Sequence, residues 1–268
     1  MPHPAAAALE SALRTHKLDR TLTTALPPLE RTDSAARIAS DVGALDACLQ
    51  GGLPRGHLSE IAGPRSSGRT TLLLRVIAAA TARGEVAAVI DTFDRLDVAS
   101  AAAAPVRLDH LLWVRGQAIS KTDGATDRGW IPGDESGRGS RSVGLLERTV
   151  DRALKALNLV LQAGGFGVVA IDLADVPPAA LSRMPFTTWL RVQRTIEGSD
   201  TACVLVVPEP IARSAGGLTL TLAGSTIWAG TSDRSRRLAG ANVRVRVVSP
   251  RRRADGEVCI AATAADGR

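Results

Sequence analysis

The clearest chemical pattern in this chain lies in nine consecutive residues that combine glycine, basic side chains and hydroxyl groups. Gly63 and Gly68 have the spacing of the motif G-x-x-x-x-G-K-[ST], with Arg69 at the lysine position and Thr70 at the hydroxyl position. In such a loop the backbone N–H groups face phosphate oxygens, and the hydroxyl reaches Mg²⁺. The candidate phosphate-binding residues are Gly63, Pro64, Arg65, Ser66, Ser67, Gly68, Arg69, Thr70 and Thr71.

A carboxylate that could assist this loop follows a second apolar run. Asp172 comes directly after residues 168–171, at the predicted end of a strand, where an acidic group can hold the hydration shell of Mg²⁺. Thr70 and Asp172 are therefore the candidate Mg²⁺ ligands. The alternatives are an ordinary glycine turn between a strand and a helix, and an aspartate that only caps a turn.

The substitution at the lysine position changes the chemistry of the loop. Lysine presents a compact point charge to the phosphates, whereas the guanidinium of Arg69 is a wider, planar fork. Positive charge is kept, and the geometry of its contact with phosphate differs.

Several further segments have the order and spacing of one known protein core. They are residues 45–46, 51–61, 63–72, 90–91 with 96–97, 108–112 and 168–172. In these segments the chain resembles the RecA-like recombinase superfamily, over residues 40–250 and most closely over 45–115. The run 154–167 and the short length are most similar to ImuA, a RecA-related accessory protein family of SOS mutagenesis.

The resemblance implies both cofactors and partners. ATP and Mg²⁺ are the implied cofactors, at a weak or vestigial site. The implied partners are a Y-family-like polymerase homologue and an error-prone replicative-type DNA polymerase in translesion synthesis, with RecA and DNA as further candidates. A cytoplasmic protein that joins the nucleoid when acting is expected.

Two departures from the family pattern concern catalysis. Phe93 stands where the resemblance implies the glutamate that activates the attacking water, and a phenyl ring cannot accept a proton. Residues 208–210, Pro-Glu-Pro, stand where an Asn-Gln pair would sense the γ-phosphate. No catalytic residue is therefore assigned, and ATP binding without hydrolysis is expected.

Three functions remain open on the sequence. The leading hypothesis is an accessory protein of the DNA damage response that acts through protein contacts, and through DNA if it binds it directly. The second is a DNA-stimulated, recombinase-type ATPase in which Arg69 suffices and another carboxylate, such as Asp94, replaces the glutamate. The third is a cell-division inhibitor of the SulA type.

Alternating helices and apolar runs predict how these residues are positioned. Strands are expected at 57–62, 86–90, 111–114, 168–172 and 202–207, with β-rich segments at 217–228 and 243–248, and helices at 72–82, 146–161 and 190–196. This is an α/β fold, a RecA-like core with a mostly parallel central sheet flanked by helices. The predicted organisation is a helical arm with linker (1–37), a core (38–250) with a flexible loop insertion (116–143), and a basic strand or tail (251–268).

Arginine dominates the net charge of +6, which permits contact with nucleic acid or an acidic protein but equally follows from a GC-rich coding bias. A solvated edge strand is the alternative to a phosphate contact for the C-terminal arginines. The odd number of cysteines, three, predicts buried thiols rather than disulfides, and no run of residues is apolar enough for a membrane span. The candidate residues for contact with nucleic acid or a protein partner are Arg236, Arg237, Arg244, Arg246, Arg251, Arg252 and Arg253.

Overall fold

Continuous apolar runs form the strands at the centre of the fold, as expected for a sheet covered on both faces. The computed structural model describes residues 36–116, 138–212, 217–232, 234–248 and 256–263, with the side chains of 138–143 and 262–263 left aside. The strands are β1 (Arg37–Ile38), β2 (Leu53–Pro54), β3 (Leu58–Ala62), β4 (Ala87–Asp91), β5 (Leu111–Arg115), β6 (Val168–Asp172), β7 (Ala202–Val207), β8 (Thr219–Ala229), β9 (Arg237–Val248) and β10 (Gly256–Thr263).

Eight of these strands form one sheet in the order β10-β9-β8-β3-β7-β6-β4-β5. Every pairing from β8 through β5 is parallel, while β9 pairs antiparallel with both β8 and β10. Strands β1 and β2 form a separate antiparallel pair. The mixed, mostly parallel sheet confirms the predicted fold class.

Helices cover both faces of the sheet and enclose two apolar clusters. One cluster contains Leu45, Leu73 and Ile77 from the first two helices, and the other contains Leu157 and Trp189 from the later ones. The helices are α1 (Gly43–Cys48), α2 (Arg69–Ala82), α3 (Val98–Ala103), α4 (Arg138–Ala163), α5 (Pro178–Leu181) and α6 (Phe186–Ile196), with a 3₁₀ turn at Leu108–His110.

Two elements differ in extent from the sequence prediction. Helix α4 begins at Arg138, inside the segment 116–143 that was predicted to be a loop. Strand β9 begins at Arg237 rather than at 243, because its N-terminal half pairs with β8 in a long hairpin. The segment 251–268, predicted to be a basic strand or tail, contains β10, which pairs with β9. The predicted arm at residues 1–35 and residues 117–137 of the predicted loop lie outside the described residues.

A buried carboxylate ties the end of β7 to the middle of the sheet. Glu60 on β3 is fully buried, and its Oε1 accepts hydrogen bonds from the backbone N–H groups of Ile211 (2.8 Å) and Ala212 (2.6 Å). Its Oε2 accepts from Thr219 Oγ1 at 3.0 Å. The segment that follows β7 is thereby fixed against β3, the strand that leads into the candidate phosphate loop.

The remaining sequence expectations concern thiols and membranes. Cys203 is buried and Cys48 partly so, but Cys259 is exposed on β10, which corrects the prediction of three buried thiols. Among the described residues, no helix combines the length and apolarity needed to cross a membrane.

Candidate functional site

The residues 63–68 form a tight loop between the end of β3 and the start of α2. Ser66 (φ 62°) and Gly68 (φ 93°) both take positive φ, and Gly68 is the N-cap of α2. The first helical hydrogen bond runs from Leu72 N–H to Gly68 O (2.9 Å), so the N–H groups of residues 69–71 have no acceptor within the helix. This is the backbone arrangement that binds phosphate at a helix N-terminus.

Glycine is needed at the first position of this loop because the backbone of β8 lies against it. A Cβ at Gly63 would stand 2.5 Å from the carbonyl oxygen of Leu222 and 2.7 Å from Ser67 Oγ. The loop is therefore pressed onto the sheet, and Ser67 is 2% exposed with a hydroxyl that has no hydrogen-bond partner among the described groups. The close packing holds the loop in shape.

Arg69 directs a buried guanidinium to the cleft beside the loop. The residue is 7% exposed, and its Nη1 is buried with no hydrogen-bond partner in the described part of the chain. Burial lowers the pKa of Arg69, while the carboxylates of Asp172 and Asp175 partly offset that effect. A buried N–H group without a hydrogen-bonded partner is costly, so Nη1 of Arg69 is available to an anion.

Asp172 ends β6 and lies opposite Asp91, which ends the neighbouring strand β4. Parallel strands bring both carboxylates to the same edge of the sheet, as the sequence predicted for Asp172. Both line a cleft of about 230 Å³ together with residues of the phosphate loop. The polar lining consists of Arg65, Ser66, Arg69, Thr70, Asp91, Arg95, Asp172 and Asp175.

The two strand-end carboxylates have different roles. Asp91 is 2% exposed and is saturated by the backbone N–H groups of Arg95 and Leu96 and by Trp113 Nε1, at 2.7 to 3.1 Å. Asp172 accepts one hydrogen bond, from Ala174 N–H at 2.8 Å. Burial raises the pKa of Asp172 to about 6, Asp91 and Asp175 add to that rise, and the Ala174 N–H and Arg69 oppose it.

The donor set is compatible with a Mg²⁺ ion that is bound mainly by phosphate and water. Thr70 and Asp172 line the same cleft, and one oxygen of Asp172 accepts no hydrogen bond from the described residues. Among the described residues no three His, Cys, Asp or Glu side chains converge as metal ligands. Mg²⁺ commonly takes only one or two protein ligands when phosphates are present, so Thr70 and Asp172 could hold it.

Phe93 lies in the apolar core rather than in the cleft. It is 7% exposed and belongs to the cluster formed with Ile90, Leu157 and Trp189. Asp94, the carboxylate considered as a substitute base, forms a bidentate ion pair with Arg115 at 2.7 and 2.8 Å. That hydrogen bond lowers the pKa of Asp94 and makes it a poor proton acceptor.

The C-terminal arginines lie on the hairpin side of the sheet and outside the cleft lining. Arg244 and Arg246 share one face of β9, as predicted, and Arg244 pairs with Glu257 on β10 at 3.2 Å. Strand β9 is interior to the sheet, which corrects the alternative of an edge strand. The guanidinium of Arg236 lies 5.2 Å from the ring centre of Trp228, and Arg237 begins β9. Arg251, Arg252 and Arg253 lie outside the described residues.

Three residues of functional interest, Glu60, Arg95 and Asp175, were not found from the sequence. Asp175 lies near both Arg95 and Arg65, which was predicted as part of the loop motif, and no periodic pattern connects the turns that carry Arg95 and Asp175. Glu60 was hidden inside an apolar strand. An acidic residue within a buried strand was the one available signal, since such a group must be hydrogen-bonded.

The sheet order, the loop after β3 and the carboxylate at the end of β6 define an α/β fold with a mixed, mostly parallel sheet, which is consistent with a RecA-like core. Residues 24–123 match the RecA N-terminal domain family. Protein RecA of Methylococcus capsulatus is 37% identical over 139 residues, which are 51% of this chain and 31% of the relative. Protein RecA of Thermus thermophilus is 36% identical over 148 residues, 48% of this chain and 44% of the relative.

A third relative, protein RecA of Thermosynechococcus vestitus, is 34% identical over 156 residues, 50% of this chain and 43% of the relative. The chain thus spans less than half the length of these curated relatives. Together with the fold, the matches support membership of the RecA-like superfamily.

Proposed function

We propose that this chain is a RecA-like accessory protein of the DNA damage response whose nucleotide site binds phosphate without turning ATP over. It acts through contacts with a Y-family-like polymerase homologue and an error-prone replicative-type DNA polymerase, and with RecA, during SOS mutagenesis and translesion synthesis. The resemblance to ImuA supports this role, and direct DNA contact through the hairpin arginines belongs to the same proposal.

The observation that carries the proposal is the placement of Phe93. Its ring packs in the core where the family resemblance implies a water-activating glutamate. General base catalysis contributes about 10²–10⁴-fold to a rate, and Asp94 is held by Arg115. The cleft can hold a phosphate group, whereas the residue at the family's glutamate position packs in the core.

Affinity capture of the intact chain tests the accessory role. We expect tagged protein from cells with damaged DNA to retain a polymerase homologue or RecA, and protein from undamaged cells to retain less. Arg69→Ala should capture the same partners, because it alters the cleft and leaves the protein surfaces in place. Recovery of neither polymerase nor RecA from damaged cells would contradict the accessory role.

A recombinase-type ATPase is the second candidate, and one observation favours it. Thr70 and Asp172 line one cleft, so both candidate Mg²⁺ ligands are present. The relatives that the chain matches are RecA proteins, and the resemblance to this family implies ATP and Mg²⁺ as cofactors.

Phosphate release separates the two candidates. With ATP, Mg²⁺ and single-stranded DNA, we expect release no faster than that of Asp172→Ala, since Phe93 cannot accept a proton and Asp94 is held by Arg115. Arg69→Lys restores the usual cation and should still give no turnover. Phe93→Glu is a poor test, because it places a carboxylate in the core and destabilises the fold. DNA-stimulated release that disappears in Asp172→Ala would favour the ATPase.

A further inference from the structure

The arginines around the cleft are arranged unusually for a phosphate loop. Arg65 Nη2 and Arg95 Nε lie 3.8 and 3.9 Å from the two oxygens of one carboxylate, Asp175. Arg69 stands in the same cleft with its Nη1 buried and without a hydrogen-bond partner among the described groups. Three guanidinium groups thus line one space, where the motif itself requires one cation.

The contacts of Arg65 and Arg95 are loose enough to be exchanged. Hydrogen bonds of the N–H···O type fall at about 2.7–3.2 Å, so both separations describe ion pairs without a hydrogen bond. The side chains of Arg65 and Arg95 are 77% and 49% exposed, and that of Asp175 is 37% exposed. Exposed pairs of this kind contribute little, whereas a bidentate guanidinium–phosphate contact is stronger and directional.

We infer that the cleft binds a polyphosphate chain, as in a nucleoside di- or triphosphate, without needing a divalent cation. Arg69 supplies a buried positive charge, and Arg65 and Arg95 close on the anion when they leave Asp175. Asp175 is then an internal competitor that occupies the two arginines while the site is empty of ligand. This inference rests on the phosphate-binding part of the proposed function. It adds that arginine side chains, and not a divalent cation, balance the charge of the ligand.

Calorimetric titration of the intact chain with ATP and with inorganic tripolyphosphate, each in EDTA and in Mg²⁺, tests the inference. We expect binding in EDTA that is as tight as in Mg²⁺ or tighter, because Mg²⁺ neutralises charge that the arginines would otherwise meet. Equal binding of both ligands assigns recognition to the polyphosphate alone, and tighter ATP binding adds recognition of the nucleoside. Binding only in Mg²⁺, or no binding of either ligand, would overturn the inference.

Variants locate the effect in the cleft. In EDTA, Arg69→Ala should weaken binding about tenfold or more, and Arg69→Lys should weaken it less. Asp175→Asn should tighten binding about two- to fivefold, because it releases Arg65 and Arg95. Arg75→Ala is the matched control, since Arg75 lies on the same helix and pairs with Asp41 at 3.2 Å. Thermal unfolding of each variant excludes loss of fold.

An unchanged affinity in Asp175→Asn together with an unchanged affinity in Arg69→Ala would also overturn the inference. Failure here is distinguishable from failure of the accessory role, because the titration measures binding of phosphate ligands to the purified chain, whereas the capture experiment measures protein partners.

Discussion

Replacement of Glu60 by alanine is expected to lower the free energy of unfolding by about 3–5 kcal/mol. The carboxylate is fully buried and accepts three hydrogen bonds, from Ile211 N–H, Ala212 N–H and Thr219 Oγ1. Alanine leaves these donors buried without an acceptor and opens a cavity in the sheet face. Chemical denaturation followed by circular dichroism measures the change.

Glu60→Gln is the matched control for this prediction. The amide oxygen can accept both backbone hydrogen bonds that Oε1 accepts, and the amide nitrogen can donate to Thr219 Oγ1. We expect it to cost much less than alanine. If the two variants unfold at the same denaturant concentration, the hydrogen bonds of Glu60 do not fix the segment after β7.

Most of the parallel sheet could be predicted from the sequence because its strands consist of uninterrupted runs of apolar residues. Strands β4, β6 and β7 match their predicted ranges closely, since burial on both faces leaves no room for polar residues. The N-terminal half of β9 was missed because the run Arg-Leu-Ala-Gly-Ala-Asn has no β-branched or aromatic residue and is only partly buried. Its conformation comes from pairing with β8, a contact that the local sequence does not encode.

The candidate site was likewise only partly predictable from the sequence. The loop and Asp172 were predicted because glycine spacing and a strand-end carboxylate are local signals. The meeting of Arg65 and Arg95 at Asp175 could not be predicted, since it depends on how two separate turns meet at the sheet edge. The exclusion of Phe93 from the cleft likewise depends on which side of the turn after β4 faces the core.

Asp172 is expected to lower stability at neutral pH, and Asp172→Asn should raise the free energy of unfolding by about 2 kcal/mol at pH 7.5 in EDTA. The structure raises the pKa of Asp172 to about 6, mainly by burial and further through Asp91 and Asp175. In the unfolded chain an aspartate titrates near its ordinary value of about 3.9. The ionised carboxyl is therefore less favourable in the folded protein, although its partial exposure reduces the effect.

The sign of the pH dependence follows from these two values. Between about pH 4 and pH 6 the folded protein binds more protons at this site than the unfolded chain, so the contribution of Asp172 to stability falls as pH rises through that window. Above it the loss is complete and constant. Asparagine keeps the acceptor for Ala174 N–H but cannot ionise, so the difference in unfolding free energy between Asp172→Asn and the parent chain should vanish near pH 4 and grow towards pH 7.

Asp91, which accepts three hydrogen bonds, supplies the comparison. Asp91→Asn removes an acceptor from donors that need it and should destabilise the protein at every pH. A stability difference for Asp172→Asn that is independent of pH would contradict the raised pKa of Asp172.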